Sequence, residues 1–134
     1  MATFRLEIAT PERPILDEQV SDAQIPASNG YLGLLPQHAP LIADLSAGLL
    51  SYTTGGKSES LFITDGWVEV LNDRVRVLAD AVENPTEIDV IRAQKALDRA
   101  LERLRIDVSD VDKARAVKAQ KRAEARLTAA KNRT

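Results

Sequence analysis

The chain has no cysteine and a single histidine, His38, among its 134 residues. Without cysteine there is no disulfide framework, no thiolate metal site and no cysteine nucleophile. One histidine cannot build a histidine-based zinc site. Aromatic residues make up only 4% of the chain, so a core must come mostly from Val, Ile and Leu. No apolar run approaches the roughly 18 residues that span a bilayer. The opening MATFRLEIAT lacks the basic-then-apolar layout of a signal peptide. The expectation is a soluble protein of a reducing compartment, still able to sit on a membrane complex. With 18 basic and 20 acidic residues, the net charge is −2, which excludes a uniformly basic binder of nucleic acid.

Average composition hides a break. All six glycines and all six prolines lie at or before Pro85. Residues 1–85 carry 5 basic and 12 acidic groups, net −7, and residues 86–134 carry 13 and 8, net +5. Punctuation and charge sign change at one place. The sequence therefore predicts two domains, 1–84 and 85–134, each with its own partner surface.

The first domain reads as β. Phe4 to Ile8 alternates with period two and ends at Thr10-Pro11. Arg13 to Leu16 starts a second run, and Pro26 to Gly30 reads as a loop. Gly48 to Thr54, Gly55-Gly56 and Leu61 to Thr64 read as a hairpin, because Gly-Gly supplies the positive φ of tight turns. Asp65-Gly66 and Asn72-Asp73 read as further turns, with Trp67–Leu71 and Arg74–Leu78 pairing across the second. Short strands at this spacing point to an antiparallel β-sandwich or barrel.

The second domain reads as two helices folded into an antiparallel hairpin. Thr86-Glu87-Ile88-Asp89 resembles a capping box, with Asp89 as its acid. Val90, Ala93, Leu97, Ala100, Leu101 and Leu104 then form one stripe. The pattern breaks over Ile106 to Val108, and Ser109 to Asp112 offers a second cap. The last helix is rich in Ala, Lys and Arg, all strong helix formers. Its apolar side is thin: Ala116, Ala123, Leu127 and Ala130, with Gln120 among them. Burial stabilises by ~25 cal/mol per Å², and Ala offers little area, so this helix should form readily and dock weakly.

Two motifs carry little. Gly55-Gly56-Lys57-Ser58 looks like the end of a phosphate-binding loop, but Ser51 stands where its first Gly belongs, and a strand follows instead of a helix. Asp44, Ser46 and His38 are near in sequence, yet no Gly-x-Ser-x-Gly elbow surrounds the serine. No titratable pair is set for acid–base work, so no enzyme is expected.

The arginines of the second domain leave two readings open. Arg92, Arg99 and Arg103 share one helical face, with Lys95 beside it, and Arg122 and Arg126 lie one turn apart. Like charges at i, i+4 repel by a few tenths of a kcal/mol. An anion between them reverses the sign, since guanidinium binds phosphate bidentately. On spacing alone, a solvated face with intrahelical ion pairs is favoured over an anion site.

Asn29 to Leu41, reading NGYLGLLPQHAPL, resembles the signature loop of the epsilon subunit of F-type ATP synthases. Thr64 to Val70 is similar to a later strand of that family, with Asp65 where many members have Gly. Val75 to Ala81 is similar to its last strand. The resemblance spans essentially the whole chain. It implies a β-sandwich that binds the gamma subunit of the central stalk and the ring of membrane c subunits, without chemistry of its own. It also implies a movable helical hairpin that, when extended, reaches the catalytic beta subunits and suppresses ATP hydrolysis. The location implied is peripheral, on the cytoplasmic face of the inner membrane, with no insertion and no nucleic acid bound.

In several bacterial members the folded hairpin holds ATP through (Ile/Leu)-Asp-x-x-Arg-Ala and arginines of the second helix. Ile88-Asp89-Val90-Ile91-Arg92-Ala93 matches that motif fully, which tips the arginines toward the anion site. By resemblance, Arg92, Arg122 and Arg126 hold phosphates, Asp89 and Glu83 accept hydrogen bonds, and Ile88 and Ala93 lie against the base. Tyr31 and His38 are implied at the interface with the membrane ring. Tyr31 stands where many members have an acid, so that contact must be made differently here. The rival reading is a β-sandwich adaptor whose basic helices bind another protein or RNA. No aromatic residue follows Trp67, which disfavours single-strand stacking.

Overall fold

The computed structural model describes residues 2–106 and 109–132. The chain divides into two compact units, Met1–Asn84 and Pro85–Thr134.

The first unit is a β-sandwich of eight strands: β1 (Phe4–Ala9), β2 (Pro14–Val20), β3 (Asp22–Ala27), β4 (Gly30–Leu34), β5 (Leu41–Asp44), β6 (Gly48–Thr54), β7 (Lys57–Val70) and β8 (Arg74–Glu83). They join in the order β2-β1-β8-β7-β6-β3-β4, with β5 also paired to β7. All pairs are antiparallel except one: β1 lies parallel to β8, Leu6 beside Val75 and Ile8 beside Val77. Alternation explains the core. Phe4, Leu6 and Ile8 point in, while Arg5 and Glu7 point out. Leu50, Ile63, Val68, Val75 and Val77 complete an aliphatic interior, each at most 1% exposed.

β7 is the strand that ties the layers together. Its first part, through Ile63, pairs with β6, and Trp67–Val70 pairs with β5. β8 follows it on the other edge from Phe62 to Val70 without a register change. The switch falls at Asp65 and Gly66, where φ is 47° and 105°. Asp65-Gly66, expected as a chain reversal, is instead a kink inside one long strand. Two positive φ values there redirect the strand without ending its ladder to β8. The Gly55-Gly56 turn is as expected, with φ of 55° and 80° and Thr54 opposite Lys57. Lys57 and Ser58 therefore start a strand, and the phosphate-loop reading falls.

The loop expected over Pro26 to Gly30 shrinks to two residues, because β3 runs through Pro26. Proline is tolerated there because β3 pairs with β6 only at Asp22, Ala23 and Gln24, so no ladder bond to β6 is lost at Pro26.

In the second unit a 3-10 turn, Pro85–Glu87, precedes α1 (Val90–Arg105) and α2 (Asp110–Lys131). α1 begins later than Thr86 suggested: Asp89 is its N-cap, not the acid of a box capped by Thr86. α2 is capped by Ser109, whose side chain accepts from the Asp112 amide at 3.2 Å, as expected. Of the expected break, residues 107 and 108 lie outside the described residues. The helices pack on each other, and α2 also touches the 3-10 turn. Every buried helical residue is an alanine: Ala93 and Ala100 in α1, and Ala116, Ala123, Ala129 and Ala130 in α2. The expected stripe is thus narrower than its sequence, since Val90 and Leu101 stand exposed. Leu127 is half-buried, and Ala129 replaces it among the buried positions.

Candidate functional site

The entrance to α1 is built by residues 88–93. Asp89 has extended backbone, and its Oδ1 accepts from the Arg92 amide at 3.0 Å. The Ala93 amide donates to the Asp89 carbonyl at 2.9 Å. Ile88, one residue before the cap, and Ala93, four after it, are each 4% exposed. These are the two positions of a hydrophobic staple. The motif spacing is therefore also that of a stapled helix start. It places one carboxylate oxygen at the cap and leaves the Arg92 side chain exposed.

Arg122 and Arg126 are half-buried one turn apart on α2, and both are engaged with neighbouring groups. Glu83 is the last residue of β8, paired with Phe62, and belongs to the first unit. Ile88, Asp89, Arg92, Ala93, Arg122 and Arg126 all lie in the second. The structure thus brings Asp89 to the Arg92 backbone and sets the two α2 arginines on one side. Among the described residues, no group of His, Cys, Asp and Glu could hold a metal ion, and no helix is long and apolar enough to cross a membrane.

The other two candidates lie in β4 and in the loop after it, Tyr31 in the strand and His38 in the loop. Tyr31 is 59% exposed, and its hydroxyl reaches back to Gly48, where an added Cβ would stand 3.1 Å from it. His38 is half-buried, with its ring edge-on to Phe4 at 5.1 Å between centroids. Both of its ring nitrogens are buried without a hydrogen-bond partner among the described residues. Leu35 and Ile42 nearby in sequence are exposed.

One cluster escaped the sequence reading. On the outward side of β1 and β8, Arg5, Arg74 and Arg76 turn their Nε atoms toward Glu7 at 3.5, 3.7 and 3.9 Å. Arg5 also grips Asp17 of β2 with two hydrogen bonds, 2.8 and 2.7 Å. That pairing holds the Asp17 carboxyl below the usual carboxylate range, the hydrogen bond being the main cause, and raises the Arg5 guanidinium. The signal was present in the alternation Arg5/Glu7 and Arg74/Arg76, but only parallel pairing of the chain's first and last strands brings them together. Tyr52 is pushed up, chiefly by burial and then by Glu18 and Glu59.

A β-sandwich joined to a two-helix unit defines a class, and residues 3–85 match the family described as ATP synthase, Delta/Epsilon chain, beta-sandwich domain. The ATP synthase epsilon chain of Solibacter usitatus is 48% identical over 128 residues, 96% of each chain. That of Symbiobacterium thermophilum is 44% identical over 131 residues, 97% of this chain and 94% of the relative. The chain belongs to the epsilon chain family of ATP synthases. Its fold is also similar to a chain of the Euglena gracilis mitochondrial ATP synthase, with TM-score 0.85, 23% identity, and coverage of 96% of this chain and 82% of that one.

Proposed function

We propose that this chain is a non-catalytic rotor subunit of the central stalk of a proton-translocating ATP synthase. Its sandwich links the gamma subunit to the ring of c subunits. Its helices restrain ATP hydrolysis by reaching the beta subunits when extended. The complex stands on the cytoplasmic face of the inner membrane, and this subunit is peripheral to it. The observation that carries the reading is near-end-to-end identity of 48% with a named epsilon chain. A chain of the Tetrahymena thermophila central stalk and ring, TM-score 0.76 at 14% identity, shares the fold.

ATP is the proposed regulatory ligand, held between Asp89 and Arg92 at the start of α1 and Arg122 and Arg126 on α2, with Glu83, Ile88 and Ala93 alongside. The alanine seam supports this. A small apolar interface leaves the folded and extended hairpins close in free energy. ATP that binds only the folded one at ten times its Kd stabilises it by ~1.4 kcal/mol, which shifts a balanced equilibrium about tenfold.

Calorimetric titration of the isolated chain tests the ligand. Saturable binding below millimolar ATP is expected, lost in Arg122→Ala. Absence of binding in the wild type would refute ATP sensing and leave the stalk role standing. Co-purification tests the stalk role: gamma and c subunits should be recovered with the tagged chain, and nucleic acid should not.

A further inference from the structure

We propose that residues 35–40 form a spring-loaded latch, in which the His38 ring leaves its seat on Phe4 when this edge of the sandwich engages the rotor. The coupling to the rotor rests on the docking role proposed above; the two-state loop does not. Two independent strains meet in the loop. Gln37 holds φ at 65°, a left-handed conformation that a residue with a side chain adopts only at a cost. Beside it, both His38 ring nitrogens are buried and have no partner among the described residues. In either neutral tautomer one of those nitrogens carries a proton, so one donor goes unmade whichever is present.

The loop also has a defined hinge. Pro36 and Pro40 fix φ at both ends. Most of the free torsions of the loop therefore lie in Gln37, His38 and Ala39. With the ring turned outward, His38 regains hydrogen bonds and Gln37 is free to leave the left-handed region. What is lost is the edge-on contact with Phe4, a core residue 1% exposed with the ring in place. These gains oppose the lost contact, and a docking surface that offers hydrogen-bond partners tips the balance outward. Strain kept at a surface that binds is a recognised way of storing a switch.

Two variants lock the latch shut by different routes. His38→Phe keeps the ring against Phe4 and removes the unmade donor. Gln37→Gly removes the backbone strain. Each should shift the ring-in to ring-out ratio by about five- to a hundredfold, the size set by one unmade hydrogen bond or one strained residue. Three measurements read this: denaturant midpoint of the full chain, relaxation-dispersion NMR at residues 37–39, and association with rotor stripped of this subunit. Higher midpoints, quenched exchange and weaker association in both variants support the latch. Higher midpoints with unchanged or tighter association overturn it, and so does a lower midpoint for His38→Phe. If wild-type chain does not associate with the rotor, the docking role fails. The NMR then decides the latch alone: exchange in the wild type that both variants quench supports it, and no exchange, or exchange that survives in either, overturns it.

Discussion

Gly66→Ala should damage the sandwich more than a methyl added at any of its other glycines. At φ 105°, a Cβ on residue 66 would stand 1.9 Å from the Leu78 carbonyl oxygen. Restoring even a 3.0 Å contact requires a retreat of about 1.1 Å. The Leu78 backbone cannot retreat that far and stay in register with Trp67. Backbone strain at such a φ costs on the order of 1–3 kcal/mol. A disrupted ladder bond adds about 1 kcal/mol. A loss of roughly 2–4 kcal/mol follows, against a domain stability on the order of 5–15 kcal/mol. Gly55→Ala is the control: its φ is positive at 55°, but nothing lies within 4 Å of the added carbon, so only about 1–2 kcal/mol of conformational cost applies. Urea unfolding followed by fluorescence of Trp67, the sole tryptophan and next to the kink, measures both. Equal losses in the two variants would refute the close approach as the reason for glycine at 66.

The remaining predictions concern charge and capping. Asp17 is held below its ordinary range, so its pair with Arg5 stabilises above the unfolded value near ~3.9 and is lost as pH falls through the lower folded value; urea midpoints from pH 5 to 2 should fall less steeply in Asp17→Asn. Tyr52 is raised, so its contribution is intact below the unfolded value near ~10 and lost as pH climbs through the folded one; Tyr52→Phe should flatten the alkaline side of the thermal midpoint curve. Ser109→Ala should cost α2 about 1 kcal/mol by orphaning the Asp112 amide, which amide exchange in the first turn will report. Asp89→Asn should keep the α1 cap while weakening ATP binding, whereas Asp89→Ala should lose both; helicity and calorimetry on the same samples separate them.

The first domain was legible where local chemistry decides. Phe4 to Ile8 alternates because one side is buried, and Gly55-Gly56 turns because two positive φ values are needed. Asp65-Gly66 misled for the same reason: positive φ marks a kink as well as a reversal, and only the partners of β7 tell them apart. Pro26 hid β3, since the gap in its pairing with β6 is a tertiary fact. The Arg5–Glu7–Arg74–Arg76 cluster was out of reach because some 70 residues separate its strands in sequence. In the second domain, the cap at Ser109 was plain from Ser-x-x-Asp spacing. The cap at Asp89 was displaced from its expected place by the 3-10 turn at Pro85.

The motif at residues 88–93 has two explanations that share the same atoms, and this bears on how a ligand would act. A staple at Ile88 and Ala93 and a cap at Asp89 are sufficient reason for Ile-Asp-x-x-Arg-Ala to open a helix, except for the arginine. Nothing in capping asks for a cation at the third helical position; the partial positive charge of a helix N-terminus disfavours one there. Arg92 is thus the one member of the motif that works against the local structure, and its side chain is exposed. An anion drawn to that end would offset the repulsion and add to the helix dipole. Binding would then strengthen the start of α1 itself. A ligand that tightens the first turn of one helix while pinning arginines of the other stabilises the hairpin at both of its weak points. The cost of Arg92→Ala should accordingly appear in ATP affinity, while the unliganded hairpin becomes slightly more stable, and a loss of stability without ligand would contradict this account.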